Sequence, residues 1–212
     1  LLASDHRGHG ASPAPPGPYR IEDLGSDLLA LLDRLGLARV HYAGLSLGGM
    51  VGMWLASHAP GRVDRLALLC TAAYLPPARG WLDRAATVRA DGMAAIADAV
   101  MARWFTPAYP AGHPGRLARL REQFLSCAPE GYAGCCEAIA ALDLRAALPR
   151  ISAPTLVVSG ADDPAIPPAH GQSIAAAIPD ARFESLAGAA HLASVERADV
   201  VDTLLHKHFS VG

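Results

Sequence analysis

The run Pro154-Thr155-Leu156-Val157-Val158-Ser159-Gly160 constrains the fold of this chain more than any other segment. It is apolar without alternation and ends on a breaker, the habit of a strand covered on both faces in a parallel sheet. Arg65-Leu66-Ala67-Leu68-Leu69-Cys70 has the same character, and Arg39 to Gly44 and Arg182 to Leu186 are shorter strand runs. Helical patterns separate them. From about Ile21, Leu24, Leu28, Leu31, Leu32 and Leu35 share one face, and Gly36 is placed to stop the helix. Gly48 to His58 is apolar almost all round, which suits a helix buried against a sheet. Further helices are expected near His170 to Ile178 and from about Val195 to Phe209. The alternation predicts a parallel α/β sheet. Between Tyr74 and about Pro149 strand runs vanish, which predicts an inserted helical lid. The expected division is core over 1–73, helical cap over 74–149 and core again over 150–212. Leu1-Leu2-Ala3-Ser4 reads as the end of a buried strand.

Composition narrows the class. With 212 residues, 51% of them hydrophobic, the chain can bury a sizeable core without disulfides or a structural metal. The 18 basic and 20 acidic side chains form no Lys/Arg cluster, so there is no electrostatic footprint for nucleic acid or an anionic membrane. No apolar run approaches a membrane span and no signal peptide is visible. The four cysteines lack metal-ligand spacing and read as buried thiols of a reducing, cytoplasmic compartment. No metal or cofactor is expected.

Gly44-Leu45-Ser46-Leu47-Gly48 lies between an expected strand and an expected helix. In that position the glycines allow a sharp turn that lifts the serine oxygen out of the sheet edge, and the turn aims the Leu47 N–H at a developing oxyanion. A helix-capping serine in a glycine-rich turn is the plainer alternative. A serine nucleophile needs an imidazole to take its proton and a carboxylate to orient that imidazole. Gly160-Ala161-Asp162-Asp163-Pro164 follows one strand and Gly188-Ala189-Ala190-His191 follows the next, on the edge where Ser46 sits. The remaining histidines, His6 and His9 among them, read as structural or solvated.

Together these pieces resemble the α/β-hydrolase superfamily over nearly the whole chain. Asp5-His6-Arg7-Gly8-His9-Gly10-Ala11-Ser12 is similar to that family's D-x-R-G-x-G-x-S turn after its fourth strand, and the order Ser, Asp, His is the family's own. Its G-x-x-D-x-x-x-P signature selects Asp163 over Asp162, with Pro167 as the proline. The resemblance implies catalytic Ser46, Asp163 and His191, and a serine rather than an aspartate at 46 implies acyl-serine chemistry. More narrowly, His41 to Ala56, Arg103-Trp104-Phe105-Thr106-Pro107, Glu130 to Cys136 and Ala189 to Glu196 resemble 3-oxoadipate enol-lactonases of the β-ketoadipate pathway. That implies a small carboxylated lactone as substrate, with Arg103 gripping its carboxylate and Trp104 packing on its ring. The alternative for this pair is a surface ion-pair partner and part of the cap's own core.

In the superfamily a second oxyanion donor comes from a loop after the third strand. This sequence starts at what resembles the fourth strand, so the expectation is that roughly 45 to 55 residues of a fold of about 260 precede it. Some relatives carry a fused carboxymuconolactone decarboxylase, and the resemblance allows one here. Two rivals stay open: a general carboxylesterase or cofactor-free perhydrolase of the same fold, and a non-catalytic receptor built on it.

Overall fold

The computed structural model describes residues 1–210; Val211 and Gly212, on which the expectation of a possible fused domain touched, lie outside them. Four strands, β1 (Val40–Leu45), β2 (Val63–Leu69), β3 (Thr155–Gly160) and β4 (Ala181–Leu186), form one sheet in the order β1-β2-β3-β4. Every neighbouring pair is parallel, with Leu45 opposite Leu69, Leu69 opposite Val158 and Gly160 opposite Leu186. All carboxyl ends therefore open on one edge, where ligands bind in open α/β sheets.

Successive residues of the central strands explain why they do not alternate in polarity. Leu66, Leu68 and Val157 pack in one cluster with Met50 and Met53 of α2 (Leu47–His58) and Ile174 of α8 (Pro168–Ala177). Ala67, Leu69, Leu156 and Val158 point the other way, into a cluster with Val201 of α10 (Ala198–Phe209). Both faces are thus covered, and each buried Leu or Val stabilises by about 1.5–3 kcal/mol relative to exposure. The amphipathic α1 (Ile21–Arg34) buries Leu24 and Leu32. Leu35, expected on that face, is 49% exposed because the helix ends before it.

Between β2 and β3 lie α3 (Ala78–Asp91), α4 (Ala94–Met101), α5 (Tyr109–Gly112), α6 (Pro114–Leu125) and α7 (Pro129–Ala140). The two ends of this helical insertion meet at a neck, where Tyr74 bridges Asp143 and the Leu144 N–H donates to Ala73 O at 2.8 Å. Arg89 on α3 holds α7 through Glu130 (2.8 Å) and Glu137 (2.5 Å). Glu130 also accepts the Gly17 N–H at 2.9 Å, which ties the proline-rich loop to the insertion.

Arg89, then the Gly17 N–H, holds the Glu130 carboxyl at about 2, below its ordinary 4.5. A carboxyl depressed on folding adds stability above its unfolded value, and that share is lost as pH falls from about 4.5 towards 2. The groups are solvated, so Arg89→Ala is expected to cost about 1 kcal/mol at neutral pH. Thermal melts should show a steeper acid decline for wild type than for Arg89→Ala; parallel curves would contradict the assignment.

Two expectations need correction. Leu1–Ser4 is no strand: Leu1 and Leu2 are exposed and, among the described residues, the segment has no strand partner. Apolar residues make a strand only where a neighbouring backbone can complete the ladder, and among the described residues β1 has a partner on one side only. The expected single last helix is two, α9 (Ala193–Glu196) and α10, separated at Arg197 (φ −127°, ψ 47°). Arg197 donates to Ala187 O at 2.7 Å, and Glu196 is held by other elements as described below.

Candidate active site

β1 runs directly into Ser46, which adopts φ 52°, ψ −115°, a backbone conformation rarely open to a residue with a side chain. The turn is fastened from several sides. The Ser46 N–H donates to Leu69 O at 2.8 Å, and its C=O accepts from Thr71 Oγ1 at 2.7 Å and from the Met50 N–H at 3.1 Å. Surroundings that over-determine a strained residue in this way are what allow it to persist. The Ser46 side chain makes no capping hydrogen bond to α2, so the helix-cap alternative is not realised.

The two glycines of the turn differ in their necessity. A Cβ on Gly44 would lie 2.3 Å from the carbonyl carbon and oxygen of Gly48, so only glycine fits. A Cβ on Gly48 would meet nothing closer than 3.9 Å. Close backbone approach therefore explains the first glycine and leaves the second without a steric reason.

Asp163 and His191 stand on the loops after β3 and β4. His191 Nδ1 lies 2.8 Å from Asp163 Oδ2, with both residues buried. The other oxygen, Oδ1, accepts the N–H groups of Ala165 (2.7 Å) and Ile166 (3.0 Å), so the carboxylate cannot rotate freely. An ionised carboxylate only accepts, which puts the His191 proton on Nδ1 and leaves Nε2 free to act as a base. Asp162 points elsewhere and accepts the Gly188 N–H at 3.1 Å on the exposed side.

Ser46 and His191 face one cavity of about 220 Å³ under the helical insertion. Leu45, Leu47, Ile166 and Leu192 line it from the sheet side; Trp81 and Arg84 of α3, Val100 of α4, and Tyr132, Cys135, Cys136 and Ile139 of α7 line it from above. Burial pushes both thiols up to about 12, so at neutral pH they are uncharged wall. Leu47 is the first residue of α2, and its N–H has no partner within the helix.

Arg103 and Trp104 both reach this cavity. Among the described residues Arg103 has no ion-pair partner; its Nη2 donates to the carbonyl of Pro164 at 3.0 Å, beside Asp163. Trp104 packs edge-on against Phe124 (ring centroids 5.4 Å, 85°), so it belongs to the insertion's own core as well as to the cavity wall. Sequence reasoning missed Arg84, which lies over the Trp81 ring at 4.6 Å, and it set aside His9, which also lines the cavity. The i, i+3 spacing of Trp81 and Arg84 was the available signal.

Comparison with known families agrees with this architecture: the alpha/beta hydrolase fold model matches residues 1–106 and 128–198, and the chain belongs to that family. The unmatched stretch between these two segments covers α5 and α6 of the insertion. Within the family the chain is similar to 3-oxoadipate enol-lactonase 2 of Acinetobacter baylyi, 42% identical over 93% of this chain and 73% of that protein. Its structure superposes on the crystal structure of the enol-lactonase from Burkholderia xenovorans with TM-score 0.95 at 45% identity, covering 98% of this chain and 79% of that one. A malate-bound thermophilic esterase from Thermogutta terrifontis matches with TM-score 0.90 at 31% identity, covering 96% and 76%. Among the described residues no helix is long and apolar enough to cross a membrane.

Proposed function

We propose that this hydrolase opens a small carboxylated lactone, of the class of 3-oxoadipate enol-lactone, through an acyl-enzyme on Ser46. The observation that carries the substrate class is the cavity's charge: Arg84 and Arg103 line it and no Asp or Glu does among the described residues. Such a lining favours an anionic substrate. One nitrogen of Arg103 is engaged with the Pro164 carbonyl, and Arg84 rests on the Trp81 indole face beside Tyr132. Arg84, whose guanidinium lies across from the sheet-side wall on α3, is the grip we assign to the carboxylate, with Arg103 also in the lining and Trp81 and Trp104 against the ring. The similarity to two enol-lactonases supports the reading, as does an esterase relative that holds a dicarboxylate.

The chemistry then follows from the geometry. His191 Nε2 takes the Ser46 proton as Oγ attacks the lactone carbonyl, and Asp163 stabilises the imidazolium. The Leu47 N–H, at the positive end of α2, faces the oxyanion. As the ring opens, His191 gives its proton to the leaving enol oxygen, which stays tethered to the acyl chain and tautomerises to the ketone; the neutral imidazole then deprotonates a water that frees the acid and restores Ser46.

Purified protein should open 3-oxoadipate enol-lactone with kcat/KM at least 100-fold above that for p-nitrophenyl acetate. Equal or reversed preference would favour a general esterase. Losing one charged hydrogen bond of about 2–3 kcal/mol, Arg84→Gln should lower the lactone-to-ester ratio by about 30- to 150-fold. An unchanged ratio would remove Arg84 from recognition.

A further inference from the structure

Glu196 belongs to the four-residue α9 just after the His191 loop, and both its oxygens are occupied. Oε1 accepts the Thr106 N–H at 2.8 Å and the Thr106 hydroxyl at 2.7 Å; Oε2 accepts the Ala190 N–H at 2.6 Å. Thr106 is part of the helical insertion, and Ala190 immediately precedes His191. On the other side of His191, the Leu192 N–H donates to Trp104 O at 2.9 Å. Arg103 in the same stretch grips the Pro164 carbonyl next to Asp163. Both loops of the Asp163–His191 pair are thus fastened to one short segment, 103–106, which also carries the Trp104 wall of the cavity.

We propose that Glu196 is a positioning residue, a carboxylate strap that makes the placement of the helical insertion set the placement of the His191 imidazole. The inference rests on the reading of Ser46, Asp163 and His191 as the catalytic set. Three donors converge on two oxygens, which only a carboxylate satisfies fully. The isosteric Glu196→Gln would turn an amide donor towards either the Ala190 or the Thr106 N–H, and the bond there is lost. A displacement well under 1 Å suffices to slow a proton transfer, since 1 Å can cost about 100-fold.

The test measures turnover per active serine, counted by fluorophosphonate titration, alongside thermal midpoints. The substrate is p-nitrophenyl acetate, which carries no carboxylate for Arg84 or Arg103 to hold. Glu196→Gln should lower kcat per titrated serine about tenfold, and Thr106→Val, which removes only the hydroxyl bond, about threefold. Thr106→Ser should match wild type. The double variant should lose less than the product of the two single effects, because both changes act on the same strap. Wild-type turnover per titrated serine in both single variants, with only lower midpoints, would reduce Glu196 to a structural role and overturn the proposal. Ser46→Ala is the separate arm: if it is inert, those results bear on the strap alone, and if it stays active, the catalytic set fails and the strap with it.

Discussion

Asp163→Asn is expected to lower kcat by about 10⁴-fold while leaving the fold intact. Oδ1 is held by two N–H donors, from Ala165 and Ile166, so the amide oxygen of Asn must occupy that position. The amide nitrogen is then forced to face His191 Nδ1, 2.8 Å away in the native protein. Two donors cannot meet there, so Nδ1 becomes the acceptor and the ring proton moves to Nε2. The imidazole can no longer accept the Ser46 proton, although nothing has moved. Both backbone bonds survive, and the thermal midpoint should change by less than about 3 °C. Steady-state kinetics and a thermal melt check both halves. A loss of only tenfold would mean that the Asp163 contact orients the loop rather than the tautomer.

Ser46→Ala carries the largest expected effect, a loss of about 10⁵- to 10⁶-fold in kcat with little change in stability. Its side chain makes no capping bond to α2, and the backbone bonds that hold the turn to Leu69, Thr71 and Met50 do not involve the hydroxyl. Alanine inherits the same positive φ and the same strain. A receptor that merely borrows this fold would bind its ligand equally well with either residue and would show no hydrolysis to lose.

The parts of the site that follow strands were legible because strand ends are. Unalternating apolar runs mark β2 and β3, and a parallel sheet puts all its carboxyl ends on one side, so Ser46, Asp163 and His191 could be brought to one edge without knowing any distance. The choice between Asp162 and Asp163 rests on the resemblance to the family's G-x-x-D-x-x-x-P signature; the buried hydrogen bond to His191 is found at Asp163. The insertion was legible only as helices. Its Ala-rich pattern does not reveal which helical face turns towards Ser46, and so Arg84, Tyr132 and the thiols of α7 were not foreseen in the cavity wall. Glu196 escaped for a related reason: its partners lie 90 residues upstream at Thr106 and six residues upstream at Ala190, and no local periodicity encodes a bond between separate elements. Leu1–Ser4 shows the converse error, in which apolar residues were read as a strand although strand formation depends on a partner that local sequence cannot supply.

The most direct test of the central claim is the covalent one. Protein mixed with a saturating concentration of the enol-lactone and quenched in acid within the first turnovers should carry the mass of the opened acyl group on the peptide containing Ser46. The adduct should be absent from Ser46→Ala and should decay with the rate constant of the slower step. A protein that turns over the lactone with no adduct on Ser46 at any quench time, and with undiminished activity in Ser46→Ala, would contradict the account.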